Sequence, residues 1–409
     1  MTTMIGPLRR ATLIAANQTA ISCGDIELTY AETFERCRRL AGGLRALGLG
    51  DGDRVAVVGP NCHRYVELYQ AVPGSGMALV PLNPRHTDAE LNYALEDSHA
   101  QVLFTNRVIE GLPACVKHVI DLGDGYEKLL TNADLADFPV DLSDQTVAGL
   151  FYTGGTTGAA KGVMLTHRNI VQNALHFQSF ARFRPDMTWL IVAPIFHLAG
   201  SIAVLPTVWA GGKQVVLAAF DPVAALDLIE RHGVTATLVV PTMLAAINEE
   251  QLARPREVGS LRIVFHGGSP IATETLRRAH AAFPDTELAE MYGATETAPI
   301  ATTFPNEECW LDSPRARSCG QPAVGVEISI LDSSGAPAAP GVVGEVAIRG
   351  ENVMVGYWNK PEQIAAALVD GWYRSGDLVY FDDEGYVFFV YRAKDMIVTG
   401  GENVYSTEV

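Results

Sequence analysis

The segment Phe151–Gly162 reads FYTGGTTGAAKG, so twelve residues supply four glycines, three threonines and one lysine directly after an apolar run. Free backbone N–H groups, hydroxyls and one ammonium are what a polyphosphate needs. A P-loop would require G-x-x-x-x-G-K-[ST]. Counting from Gly154 or Gly155, the second glycine falls on Ala159 or Ala160, and Lys161 is followed by Gly162 in place of Ser or Thr. The loop is expected to hold phosphate, but not as a P-loop.

Further motifs follow in order: PIFHLAG (194–200), HGGSP (266–270), MYGATET (291–297), GENVMVGYWNKPE (350–362), GWYRSGDL (371–378) and YRAKDMIVTGGENV (391–404). With the glycine-rich loop, this series resembles the adenylate-forming superfamily over most of the chain. That superfamily includes acyl-CoA synthetases, peptide-synthetase adenylation domains and firefly luciferase. Its loop more often carries Ser where Gly154 stands here, a mild departure that needs no change of role.

The resemblance implies a two-step reaction. A carboxylate attacks the α-phosphorus of ATP, pyrophosphate leaves, and the thiol of coenzyme A then displaces AMP from the acyl-adenylate. Thr153, Gly154, Gly155, Thr156, Thr157, Gly158 and Lys161 are then expected around the β- and γ-phosphates. Thr295 is expected at the α-phosphate and Glu296 at Mg²⁺, a hard cation that keeps few protein ligands. Tyr292 and Gly293 would border adenine, Asp377 and Arg392 would meet the ribose, and Gly267 and Gly268 would allow close backbone approach. His197 is expected at the acyl end of the site, and His266 where the acid and adenine pockets meet. Lys394 matches the hinge position of the family. Taken singly, Glu296 reads as a solvated carboxylate, Asp377 as a turn former, and Tyr292 and His197 as core residues.

An amino-acid substrate would need an anion near its ammonium group. The stretch FHLAGSIAVLPTVWAGG offers no carboxylate before Asp221, which points to a plain fatty or aromatic acid. Its apolar pocket is expected from residues 202–209, 239–243 and 291–300. A carrier-protein thiol in place of coenzyme A, or a binding-only module, are the alternatives. The C-terminal subdomain of the family, with its bridging lysine, is expected to be missing after GGENVYSTEV. Binding of ATP and acid with weak adenylation would follow.

The elements around these residues alternate. Thr29-Tyr-Ala-Glu32 has the form of a capping box, with Phe34, Cys37, Leu40, Ala41, Leu44 and Leu47 on one helical face. Short apolar runs (DRVAVVGP, ALVPLN, AQVLF, TWLIVAP, KQVVL, ATLVVP) recur between helical patterns. The expected fold class is α/β, with two mostly parallel sheets flanked by helices. An antiparallel, β-barrel-like subdomain follows towards the C-terminus, where VEISIL and GEVAIRG alternate. Boundaries are expected near 1–145, 146–317 and 318–391, with 392–409 as hinge; Pro113–Asp144 would be the passage between the α/β halves.

The chain has 409 residues, 48% hydrophobic and 19% charged, with a net charge of −17. That balance fits several packed subdomains and argues against nucleic-acid or anionic-membrane partners. Six cysteines without CxxC spacing suit a reduced, cytoplasmic setting. Trp189–Gly212 is uncharged but interrupted by Pro194, Gly200 and Pro206, so a buried strand, a loop and a second buried element are expected there. Oligomeric state is left open.

Overall fold

The computed structural model describes residues 3–155, 158–307, 311–392, 397–399 and 402–404. Thr156, Thr157 and Lys394 lie outside the described residues.

Local signals become elements where they were expected. Thr29 and Glu32 form a reciprocal capping box that starts the helix Tyr30–Ala46, whose Cys37, Leu40, Ala41 and Leu44 are buried. The runs at Arg54–Val58 and Ala78–Leu82 are strands with almost every side chain buried, as parallel strands covered on both faces must be. Trp189–Gly212 resolves into the end of a strand (Thr188–Ile191), then helices Leu198–Ser201 and Val204–Ala210. No helix among the described residues is long and apolar enough to cross a membrane. The passage after Pro113 carries the strand His118–Asp121 and the helix Asp124–Asn132 before it becomes irregular.

Two large sheets organise the described residues. One side of a seven-stranded sheet is formed by the parallel strands Ala78–Leu82, Arg54–Val58, Ala100–Thr105 and, at the edge, His118–Asp121. Its other side is the hairpin Val147–Gly155/Gly158–Thr166, to which the short strand Gly356–Tyr357 adds. The 14-stranded sheet has a parallel centre, running from Thr19–Cys23 through Lys213–Val216, Thr188–Ile191, Ala236–Val239 and Ile263–Gly267 to Glu287–Tyr292. Beyond Glu287–Tyr292 the pairing becomes antiparallel, through Thr302–Pro305, Ser318–Pro322, Val387–Arg392, Trp372–Phe381 and Gly344–Gly350 to Val326–Leu331.

The antiparallel strands are thus hydrogen-bonded onto the edge of the second α/β sheet. The sheets also interleave in sequence: Thr19–Cys23 joins the second sheet, while the hairpin after Val147 joins the first. The helix His167–Ala181 follows that hairpin and seats Phe177 against Trp189, Phe183 and Phe265, with ring centroids 4.9–5.7 Å away. One apolar core therefore extends from the hairpin to the second sheet.

Candidate active site

The hairpin carries Thr153 opposite Lys161 and Gly155 opposite Gly158; Gly154, Gly155 and Gly158 are placed by their backbone alone. Its base is pinned from outside. Tyr152 donates to Asp97 Oδ2 at 2.7 Å, and Lys360 reaches Asp97 Oδ1 at 2.9 Å. The Trp358 indole donates to the Asp97 carbonyl at 3.0 Å, and the Trp358 amide donates to the Gly162 carbonyl at 2.8 Å.

Lys161 makes no ion pair among the described residues. Its ammonium lies 4.5 Å from the centroid of the Tyr357 ring, an attraction worth about 1 kcal/mol. Charge-assisted bonds to phosphate are stronger, so a polyphosphate can take the lysine from the ring. The Tyr357 hydroxyl donates to Glu296 Oε1 at 2.9 Å. Lysine, tyrosine and glutamate therefore form one chain from the glycine-rich hairpin to the MYGATET turn.

Glu296 sits in the 3₁₀ turn Thr295–Thr297 and is buried. That turn is clamped twice. Asn173 Nδ2 donates to the carbonyls of Thr297 and Ile300 at 3.2 and 3.1 Å, and Asn352 Nδ2 donates to the same two at 2.7 and 2.9 Å. The Met354 amide takes the Glu296 carbonyl at 2.8 Å. Asn352→Ala is expected to cost about 1–2 kcal/mol by urea denaturation, because Asn173 still satisfies both carbonyls. The double change with Asn173→Ala should cost more than the sum, since both carbonyls then lose their side-chain donors.

The strands Ile263–Gly267 and Glu287–Tyr292 are parallel neighbours with His266 opposite Glu290 and Gly267 opposite Met291. His266, Glu290 and Tyr292 thus share one sheet face. Gly267 is required there: a Cβ would lie 2.2 Å from the Met291 carbonyl oxygen. Gly268 follows at φ +82°, and a Cβ on Gly293 would lie 1.9 Å from the Pro299 carbonyl oxygen. Tyr292 donates to Asp377 Oδ2 at 2.7 Å; burial and that carboxylate push the phenol pKa well up. Asp377 is 5% exposed and pairs across the sheet with Arg392. Adenine-side and ribose-side candidates, 85 positions apart, are thereby in contact.

His266 is fully buried, more deeply than a residue lining an open pocket. Its Nε2 lies 2.7 Å from Asn306 Oδ1, and its Nδ1 has no hydrogen-bond partner among the described residues. Burial lowers its pKa to about 4. His197 is exposed, with its ring 4.4 Å from Phe196 and its carbonyl receiving the amides of Gly200 and Ser201. Partial desolvation, with His86 and Arg85 nearby, lowers its pKa from the usual imidazole value. Behind it lies a small, mostly apolar cavity of about 20 Å³, lined among others by Tyr69, Asn173, Leu198, Ser201, Ile202 and Ala298.

Sequence reasoning missed Tyr357, Asn173, Asn352 and Glu290. Glu290 is 8% exposed, has no hydrogen-bond partner among the described residues, and burial raises its pKa to about 8. A carboxyl in the otherwise apolar strand run LAEMY was the signal that could have found it. Tyr357 and Asn352 stood inside a motif already singled out, without a role.

Glu296 fits a hard cation: Oε1 takes the Tyr357 hydroxyl, and Oε2 has no partner among the described residues. No group of three or more His, Cys, Asp or Glu residues among those described could hold a metal. Phosphate oxygens and water would have to complete the shell.

A glycine-rich hairpin, a buried carboxylate and a Tyr–Asp pair grouped at strand ends define a nucleotide-binding α/β enzyme. The AMP-binding enzyme family model matches residues 9–358. A feruloyl-CoA synthase of Amycolatopsis sp is 39% identical over 98% of this chain and 81% of its own length. A fatty acid–acyl-carrier-protein ligase of Streptomyces coeruleorubidus is 36% identical over 95% and 77%. The solved structure of Bacillus subtilis o-succinylbenzoate coenzyme A synthetase in complex with AMP superposes with a TM-score of 0.90. It is 29% identical, covering 100% of this chain and 82% of that one. The chain belongs to the AMP-binding, adenylate-forming enzyme family, among its acid–CoA ligases.

Proposed function

We propose that this chain activates a fatty or aromatic carboxylic acid with ATP. The acid oxygen bonds to the α-phosphorus, the bond to pyrophosphate breaks, and an acyl-adenylate forms. A thiol, that of coenzyme A, then bonds to the acyl carbon and AMP leaves. The observation that carries this reading is the convergence on residues 292–296: the Tyr292–Asp377 pair meets one end, and the Glu296–Tyr357–Lys161 chain meets the other.

Thr153, Lys161 and the loop amides hold the β- and γ-phosphates, and Thr295 faces the α-phosphate. Tyr292 and Gly293 border adenine; Asp377 and Arg392 take the ribose hydroxyls. Glu296 would hold Mg²⁺, which when bound would supply countercharge to the phosphates. His197 borders the carboxylate. The division near residues 145 and 317, with 392–409 as a hinge carrying Lys394, belongs to the same reading.

The acid end is supported by the stretch FHLAGSIAVLPTVWAGG, which brings no carboxylate to meet an ammonium group. A ligase that delivers to a carrier-protein thiol is the second reading, favoured by the 36% identical Streptomyces coeruleorubidus relative. Thermal unfolding with ATP, Mg²⁺ and a panel of acids tests substrate class. Fatty or aromatic acids should raise the melting temperature beyond ATP alone, while amino acids should not. Stabilisation by amino acids alone would contradict the proposal.

A further inference from the structure

Tyr357 faces two neighbours with two different parts of itself. Its hydroxyl donates to Glu296 Oε1 at 2.9 Å, and its ring face lies 4.5 Å from the Lys161 ammonium. Few residues could serve both. A serine would offer the hydroxyl without the ring, and a phenylalanine the ring without the hydroxyl.

The segment bearing the residue is also held from several sides. Gly356 and Tyr357 form a short strand against Met164 and Val163 of the hairpin. The next residue donates its amide to Gly162 and its indole to the Asp97 carbonyl, and Lys360 reaches the Asp97 carboxylate. Tyr357 is 4% exposed. The segment bearing it is tied to the helix after the hairpin as well, through Asn169 Nδ2 to the carbonyls of Glu351 and Val353 at 2.8 and 2.7 Å.

We propose that Tyr357 is a positioning residue for the polyphosphate–cation site. Its hydroxyl turns Glu296 so that one carboxylate oxygen remains for the cation. Its ring keeps Lys161 beside the phosphate loop, placed to move onto an arriving polyphosphate. Ring attraction is weaker than a charge-assisted bond to phosphate, so the hold guides the lysine without trapping it. This inference rests on the adenylation reading.

Isothermal titration of ATP into this chain, with Mg²⁺ and then with EDTA, separates the two roles. Tyr357→Phe keeps the ring and loses the hydroxyl. About a tenfold loss of affinity is expected with Mg²⁺, and less than twofold in EDTA. Tyr357→Leu also loses the ring, and should weaken binding about fivefold more in EDTA. That extra loss should vanish when Lys161→Ala is already present.

Equal losses with and without Mg²⁺ for Tyr357→Phe would mean general damage and would overturn the proposal. So would no loss, or a ring effect that persists without the lysine. If Tyr357→Leu does not fold, Tyr357→Phe still decides the hydroxyl half. The ring half then rests on Tyr357→Met, which fills the space without a π face and should show the same lysine-dependent loss. Unchanged variants beside a wild-type chain that binds ATP refute the role of Tyr357 alone; a wild-type chain that does not bind ATP refutes the adenylation reading with it.

Discussion

Asp377→Ala is expected to lower the affinity for ATP about 100-fold, as read by isothermal titration in Mg²⁺. Two effects add. The ribose diol loses an ionised acceptor, and bonds to charged groups are worth roughly 1.5–3 kcal/mol each. The Tyr292 hydroxyl loses the carboxylate oxygen it now reaches at 2.7 Å, so the ring proposed to border adenine loses its charged anchor. Together about 3 kcal/mol is lost, close to two decades of affinity. Asp377→Asn keeps the shape and one acceptor and should lose about tenfold. A change below threefold for the alanine variant would mean that this carboxylate does not meet the ribose.

Glu290→Gln is expected to stabilise the protein, and only above mildly acidic pH. Burial raises this carboxyl from 4.5 to about 8, so the folded state holds its proton more tightly than the unfolded chain does. The stability from that proton is complete below pH ~4.5 and is lost as pH rises through about 8. Glutamine does not titrate and escapes the loss. Denaturant unfolding at pH 9 should show the variant more stable by roughly 3–5 kcal/mol, with little difference near pH 4. Equal effects at both pH values would show that Glu290 has an anion-stabilising partner in the folded protein.

The glycine-rich candidate phosphate loop was marked by residue types at short spacing, and the parallel strands by apolar runs with turn residues between them. The candidate roles of Glu296 and Asp377 came from the resemblance, since each alone reads as an ordinary surface or turn carboxylate. Local signals such as the Thr29–Glu32 box worked because helix capping involves only neighbouring residues.

What could not be read is made of long-range contacts. Tyr292 meets Asp377 across 85 positions, and Asn173 reaches the Thr297 carbonyl across 124. No spacing rule carries such pairs, because they depend on how the sheets are joined. Tyr357 was visible as part of a motif, but its two-sided role needs Lys161 and Glu296 to be near each other in space. The resemblance put His266 where acid and adenine pockets meet; its full burial, set by the elements packed around the strand, is not legible in the sequence. Thr156, Thr157 and Lys394 lie outside the described residues, and their roles rest on the resemblance alone.

The most direct measurement of the adenylation claim is titration of this chain with a non-hydrolysable acyl-adenylate analogue bearing an aromatic or fatty acyl group. An adenylating site binds the joined molecule far better than its parts, because one loss of translational freedom serves both halves. The analogue is expected to bind at least 100-fold more tightly than AMP or the acid alone. Binding no tighter than AMP would contradict a site that joins an acid to a nucleotide.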